Sequence, residues 1–221
     1  MKRLLSIIAI IMMVASIAVA KDKEAVKCTL TLLDGKTVTG YMVDYKTKTN
    51  TYGADKVLTI NKVFVAEDPS EAGTEYSAND SKKIVFTVDG KEIECLSMYI
   101  LRNNTRPINL KHGSEKGFMN VVYKKDGIIG FASNAKEVIW SSTPPVMELP
   151  TYVVSYCVEG DEVAVPYWIP SDANSIGAKT GLRYCFERFP KVAEYIKGKE
   201  FKMKDLKNAP LSILDKVVEL K

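Results

Sequence analysis

Four acidic-residue–glycine turns punctuate the chain: Asp34-Gly35, Asp89-Gly90, Asp126-Gly127 and Glu159-Gly160-Asp161. Each lies between runs rich in β-branched and aromatic residues. A two-residue hairpin loop needs backbone with positive φ, and Asp-Gly supplies it at little cost, so this pattern dictates antiparallel hairpins rather than parallel crossovers. Four hairpins follow. Cys28–Leu33 pairs with Thr37–Tyr45, Ile84–Val88 with Glu92–Met98, Met119–Lys124 with Ile128–Ser133, and Thr151–Val158 with Glu162–Trp168. Strand alternation sends Thr37, Thr39, Tyr41 and Val43 to one face, and Val38, Gly40 and Met42 to the other. Tyr152, Val154, Tyr156 and Val158 share a face in the last hairpin.

The period changes near the C-terminus. Phe189, Val192, Ala193 and Ile196 recur at helical spacing, with Gly198 placed to cap the end. A second helix is expected near Asn208, with Pro210 in its first turn. Leu211, Leu214, Val217 and Val218 form its apolar stripe, and Ile213 flanks it. The expected fold is therefore mainly β (α+β), with antiparallel hairpins in a meander sheet or small barrels and a helical tail over residues 187–221 holding two short helices. The segments TLTLLDGKTVTGYM and KIVFTVDGKEIECLSMY both place Asp-Gly-Lys between strands, which suggests tandem β-units near 26–80 and 83–143. Asp68–Asp80 reads as a polar loop, Pro144-Pro145 as a break, and Ser171–Gly181 as a flexible loop.

Residues 1–20 read as a signal peptide. Lys2 and Arg3 precede the apolar run Leu4–Val14, and Ala18-Val19-Ala20 gives the small-x-small pattern that a signal peptidase accepts, with cleavage expected after Ala20. The alternative is a short uncleaved membrane anchor over Leu4–Ala20. No cysteine follows the apolar run closely enough for lipidation, Cys28 being the nearest. No later apolar run approaches spanning length, so residues 21–221 are expected to be a β-rich unit that does not span a membrane, at work in the periplasm or outside the cell. The chain ends at Lys221, directly after the last expected helix, so no longer partner-binding tail is expected.

Charge narrows the partners. The chain carries 31 Lys and Arg against 27 Asp and Glu, a net +4 that falls to +2 without Lys2 and Arg3. Affinity for nucleic acid comes from concentrated cations that release counterions, so a nearly neutral exported chain is not expected to bind it. Export also permits disulfides among Cys28, Cys95, Cys157 and Cys185. Three pairings are open, and the alternative is four buried free thiols. No two of these cysteines have the close spacing of a zinc knuckle, and a single histidine precludes a multi-histidine centre, so neither a metal nor another cofactor is expected.

The residues that could carry chemistry are few. His112 is the one histidine, and no Gly-x-Ser-x-Gly elbow accompanies it. The acidic groups Glu159/Asp161/Glu162 and Asp68/Glu71/Glu75 lie in turns, where solvation accounts for them, though two acids at a fixed separation are what glycoside cleavage requires. Gly177-Ala178-Lys179-Thr180 resembles the end of a phosphate loop but lacks its opening glycine. The first hairpin, followed by Asp44 and Asn50, resembles the first motif of Sm-type barrels, a turn-and-glycine chemistry shared by small bent barrels. Trp140, Tyr152, Tyr156, Tyr167 and Trp168 crowd a short region and are the candidate ligand-binding residues, because aromatic faces stack on sugars or receive partner side chains. The alternative for them is core and edge packing.

The order strand–Asp-Gly-Lys–strand-Gly-Tyr, then TYVVSYCVEGDEVAVPYW, then RYCFERFPKVAEYIKGKEFKMKDL resembles exported β-rich proteins of gut-type Gram-negative bacteria, whose function is uncharacterised. The shared ending is an aromatic strand, a Phe-x-x-x-Pro helix start (Phe186 to Pro190) and a Lys-rich stretch before a final helix. The resemblance implies a secreted β-rich fold and assigns no catalytic residue. The resulting expectation is an exported, non-enzymatic binding or envelope-associated protein with a glycan or protein partner. Its alternatives are an envelope hydrolase using His112 or an acidic pair, and an assembly factor docking through its C-terminal helices.

Overall fold

The computed structural model describes residues 25–52, 55–101, 109–139, 147–169 and 177–221. The fold is mainly β, with antiparallel hairpins and helices gathered at the C-terminus. Among the described residues ten strands precede the helices: β1 (Val26–Leu32), β2 (Thr37–Tyr52), β3 (Asp55–Ala66), β4 (Thr74–Ser77), β5 (Ser81–Val88), β6 (Lys91–Ile100), β7 (Gly117–Lys125), β8 (Ile128–Ile139), β9 (Met147–Val158) and β10 (Val163–Trp168). Four described helices follow: α1 (Ala178–Cys185), α2 (Pro190–Lys197), α3 (Met203–Asn208) and α4 (Ser212–Leu220). All four expected hairpins form, as β1–β2, β5–β6, β7–β8 and β9–β10. The turns show the reason: Asp89 and Gly90 sit at φ 49° and 72°, Asp126 and Gly127 at 46° and 72°. Both central residues are left-handed, as the hairpin twist requires.

Residues of the chain fall into two compact units, and β2, β3, β6 and β7 each contribute to both. Unit 1 comprises residues 1–49, 58–99 and 114–121. Its strands form a closed ring. β1 pairs with β2 on one side and β5 on the other, β5 with β6, and β6 with β7; β2 neighbours β3, and Ile60 of β3 pairs with Phe118 of β7 to complete the circuit. The small barrel expected from the sequence is realised here. Both Asp-Gly-Lys hairpins belong to this unit, joined side by side through β1 and β5. The interior is read from alternate positions: Cys28 and Leu30, Met42, Val63 and Val65, Ile84 and Phe86, Ile93 and Cys95, and Phe118. Two glycines permit the tight curvature. A Cβ at Gly40 would overlap the carbonyl oxygen of Ala66, and one at Gly117 would lie 2.5 Å from the Thr59 side chain. Asn120, opposite Cys95 in the β6–β7 register, is buried, and its amide has no hydrogen-bond partner among the described residues.

Unit 2 comprises residues 50–57, 100–113 and 122–221. Its long β8–β9 ladder runs from Ile128↔Val158 to Ile139↔Met147, and β10 lies against β9. At the far edge the Leu101 amide donates to the Ala164 carbonyl at 2.9 Å. Asp55–Val57 of β3 pair with Ala135–Glu137 of β8. The helices cover this sheet. α4 buries Ile213, Leu214 and Val217, and a Cβ at Gly130 of β8 would lie 2.6 Å from a Leu214 methyl, so the helix approaches the strand at its one residue without a side chain.

The helical region differs from expectation in its extent. α2 falls where the apolar spacing places it, capped by Gly198, and α4 buries part of the expected stripe. However, α4 starts at Ser212 rather than near Asn208, so Pro210 precedes it instead of sitting in its first turn, and Asn208 ends α3. The tail holds four helices instead of two and begins at Ala178. α1 occupies part of the expected loop Ser171–Gly181, of which residues 171–176 lie outside the described residues. α1 buries a single residue, Leu182, so it shows no repeating apolar stripe, and α3 likewise buries only Leu206. Within the expected loop Asp68–Asp80 the chain forms strand β4 and a single 3-10 turn, Ala78–Asp80, capped by the Ser77 hydroxyl accepting from the Asn79 amide at 3.1 Å. The leader and Pro144-Pro145 lie outside the described residues. Among the described residues no helix is long and apolar enough to cross a membrane.

Candidate functional site

The aromatic residues singled out in the sequence divide by burial. Tyr156 is fully buried, and Tyr167 and Trp168 are 6% and 7% exposed. Tyr152 is half-buried, and Trp140 lies outside the described residues. The Tyr156 ring stacks on Phe186 at 4.8 Å between centroids, and Tyr167 tilts against both of these rings. The phenol groups are spoken for: Tyr156 Oη donates to the Cys185 carbonyl at 2.7 Å, and Tyr167 Oη to the Pro210 carbonyl at 2.9 Å. Burial pushes both hydroxyls well above their ordinary pKa. These rings join sheet to helices and present no face to a sugar.

The cysteines are free thiols, with Cys28, Cys95 and Cys157 buried and Cys185 partly so. Burial raises Cys28 to about 11, and Cys95 and Cys157 to about 12. The thiolate is the nucleophile, so these three are inert at neutral pH. His112 is exposed, bridges to Leu101 across an isolated β-pair, and has Nδ1 2.6 Å from the Gly113 carbonyl. Among the described residues no three His, Cys, Asp or Glu side chains group to hold a metal. Lys179, in the segment that resembles a phosphate loop, donates instead to the Gly198 carbonyl at 2.8 Å. Asp161 is half-buried and held by Arg188 Nη1 at 2.5 Å while its Oδ2 accepts the Val158 amide, so it pins the β9–β10 turn. Asp44 and Asn50 both lie on β2.

A different set of residues forms a recess in unit 1. Leu32, Leu33 and Asp34 come from the end of β1 and its turn, Glu75, Tyr76 and Ser77 from β4, and Asp80 from the 3-10 turn. The volume is about 340 Å³. Three local features build it. The β1–β5 register shifts between Thr31 and Leu32, with Lys82 of β5 as the extra residue, which breaks the regular ladder beside the end of β1. The Leu33 amide donates to the Asp80 carbonyl at 3.0 Å, fixing the rim. Among the described residues β4 ends the strand order, with β3 as its single neighbour. Leu33 is 50% exposed.

The electrostatics around the recess are uneven. Hydrogen bonds from Lys36 lower the Asp34 carboxyl below its ordinary range. Lys62 and Lys46 do the same for Glu75, at 2.5 and 2.9 Å. Both carboxylates are therefore charged and neutralised locally. Asp80 is exposed and has no cationic partner among the described residues. The recess thus offers an apolar floor, an open strand edge and one uncompensated carboxylate. Glu75 was visible in the sequence only as part of an acidic loop, and Leu33 only as the end of a strand.

No protein-family model matches the chain, and neither does any curated protein or solved structure compared with it.

Proposed function

We propose that the protein is an exported, non-enzymatic binding protein that takes an extended segment of another polypeptide along β4. The observation that carries the reading is the coincidence of an open strand edge with a half-exposed leucine in one recess. An added strand satisfies main-chain groups along such an edge, and neighbouring pockets select alternate side chains. Here an apolar side chain of the ligand covers Leu33 beside Tyr76, and a lysine or arginine placed next to it reaches Asp80. The buried thiols and the engaged Asp161 and Glu75 support a binding role over a hydrolytic one. The export half of the proposal rests on Lys2, Arg3, the apolar run Leu4–Val14 and Ala18-Val19-Ala20.

Selection of a random-peptide library against the full chain tests the ligand class. Enrichment of an apolar residue next to a basic one is expected, with affinity for the selected peptides falling at least about tenfold in Leu33→Asp and several-fold in Asp80→Asn. No enrichment, or unchanged affinity in Leu33→Asp, refutes the peptide site. N-terminal sequencing of protein from its natural host tests export: a start at Lys21 supports it, and a start at Met1 with recovery in the cytosol refutes it.

A further inference from the structure

The net charge of the chain conceals a strong local excess. Residues 177–209 carry nine Lys and Arg against four Asp and Glu, a net +5, whereas the protein without Lys2 and Arg3 has only +2 in all. Attraction to an anionic partner through this region would therefore owe nothing to overall charge. The excess peaks between Lys197 and Lys207, where Lys197, Lys199, Lys202, Lys204 and Lys207 are all exposed.

The segment is held in shape from beneath. Ile196, Phe201 and Leu206 are buried, and Phe201 meets the Tyr195 ring edge-on at 5.8 Å. Lys179 sits 5.7 Å over the Phe201 ring while donating to the Gly198 carbonyl. These anchors turn inward, and the lysines between them are left outside. The segment Lys197–Lys207 also holds two exposed carboxylates, Glu200 and Asp205, which leaves it a net +3, and Glu194 pairs with Lys197 at 3.4 Å. Lys199, Lys202 and Lys204 have no carboxylate partner among the described residues.

We propose that this Lys197–Lys207 surface docks the protein on an anionic phospholipid membrane. Two observations favour lipid headgroups over other polyanions. Every cation in the segment is lysine, a compact point charge suited to a diffuse field, and none is an arginine fork for bidentate phosphate recognition. Within Lys197–Lys207 the one aromatic ring, Phe201, is buried, so the segment itself offers no ring on which bases could stack. Each lysine near an anionic leaflet adds to the attraction, and the effect fades within a Debye length. The inference is independent of the recess at β4, which belongs to unit 1, while these lysines belong to unit 2.

Vesicle co-sedimentation of the full chain tests it. Vesicles of equal parts phosphatidylglycerol and phosphatidylcholine are compared with phosphatidylcholine alone. Stronger binding to the anionic vesicles is expected, reversed by raising the salt to 0.5 M. The triple variant Lys199→Gln, Lys202→Gln and Lys204→Gln is expected to weaken anionic-vesicle binding on the order of 100-fold. A control variant, Lys27→Gln, Lys82→Gln and Lys91→Gln, removes the same charge from exposed positions in unit 1 and is expected to bind within about twofold of the parent. Equal binding to both vesicle types overturns the proposal. So does an equal loss in the two triple variants, or tighter binding to duplex DNA or heparin than to the anionic vesicles.

Discussion

The two units solve the same problem in different ways. A β-sheet must bury one face, and unit 1 does so by rolling into a ring whose interior is lined by its own alternate residues. Unit 2 covers its sheet with helices fastened by phenol hydroxyls. The ring depends on places where a side chain must be missing, Gly40 and Gly117. The covered sheet depends on places where a large side chain must be present, Tyr156 and Tyr167. The ring is vulnerable to addition at Gly40 and Gly117, and the covered sheet to truncation at Tyr156 and Tyr167 as well as to addition at Gly130.

The sharpest test of this contrast is Tyr156→Ala. Removing a fully buried, stacked ring is expected to cost about 4 kcal/mol, and hydrogen exchange is expected to quicken in α1–α4 while β1 and β5 amides keep their protection. Simultaneous loss of protection in both would show a single cooperative body and break the comparison. Gly40→Val strikes the other side: its branched side chain meets the Ala66 backbone, which cannot swing aside, and about 3 kcal/mol is expected to be lost with exchange quickening in β1–β3. Tyr167→Phe keeps the ring but strands the Pro210 carbonyl, an expected loss of about 1–2 kcal/mol read from the denaturant midpoint.

Alkali probes the thiols. Unfolded cysteines ionise near their ordinary 9.0, whereas folded Cys28 waits until about 11 and Cys95 and Cys157 until about 12. The folded pKa values are raised, so their stabilisation is complete below pH 9 and is lost as pH climbs towards the folded values. At pH 10 the expected loss is about 1 kcal/mol per thiol. Cys28 and Cys95 lie in unit 1, while unit 2 holds Cys157 and the raised phenols of Tyr156 and Tyr167, so unfolding midpoints between pH 8 and pH 10 are expected to fall for both units. The smallest expected effect is a gain. Asn120→Leu removes a buried amide without a partner among the described residues and is expected to raise stability by about 1 kcal/mol, measured by urea unfolding.

Much of this contrast was legible in the sequence, and its limits have physical causes. Asp-Gly turns announce hairpins because the chemistry is local, and all four hairpins form. β3 escaped because no acid–glycine turn marks its ends, although the alternating run from Val57 to Val65 carried a strand signal. β4 escaped because its four residues sit within a polar stretch too short to show a period. α1 and α3 each bury one residue, too few to reveal a stripe. The aromatic crowd near 152–168 was visible, and packing accounts for its buried rings. The β4 recess could not be read, because it depends on a register shift at Leu32 and on an amide of one hairpin reaching the carbonyl of Asp80.

Ring closure at Ile60 and Phe118 also governs when the molecule can become itself. During synthesis from the N-terminus, the first six strands emerge with the circle still open, and bare edges remain until Phe118 arrives to meet Ile60. A chain with this connectivity delays commitment by construction. Until then the strands at the two ends of the open ring keep unpaired backbone groups, and the Ile60–Phe118 pair is what removes them.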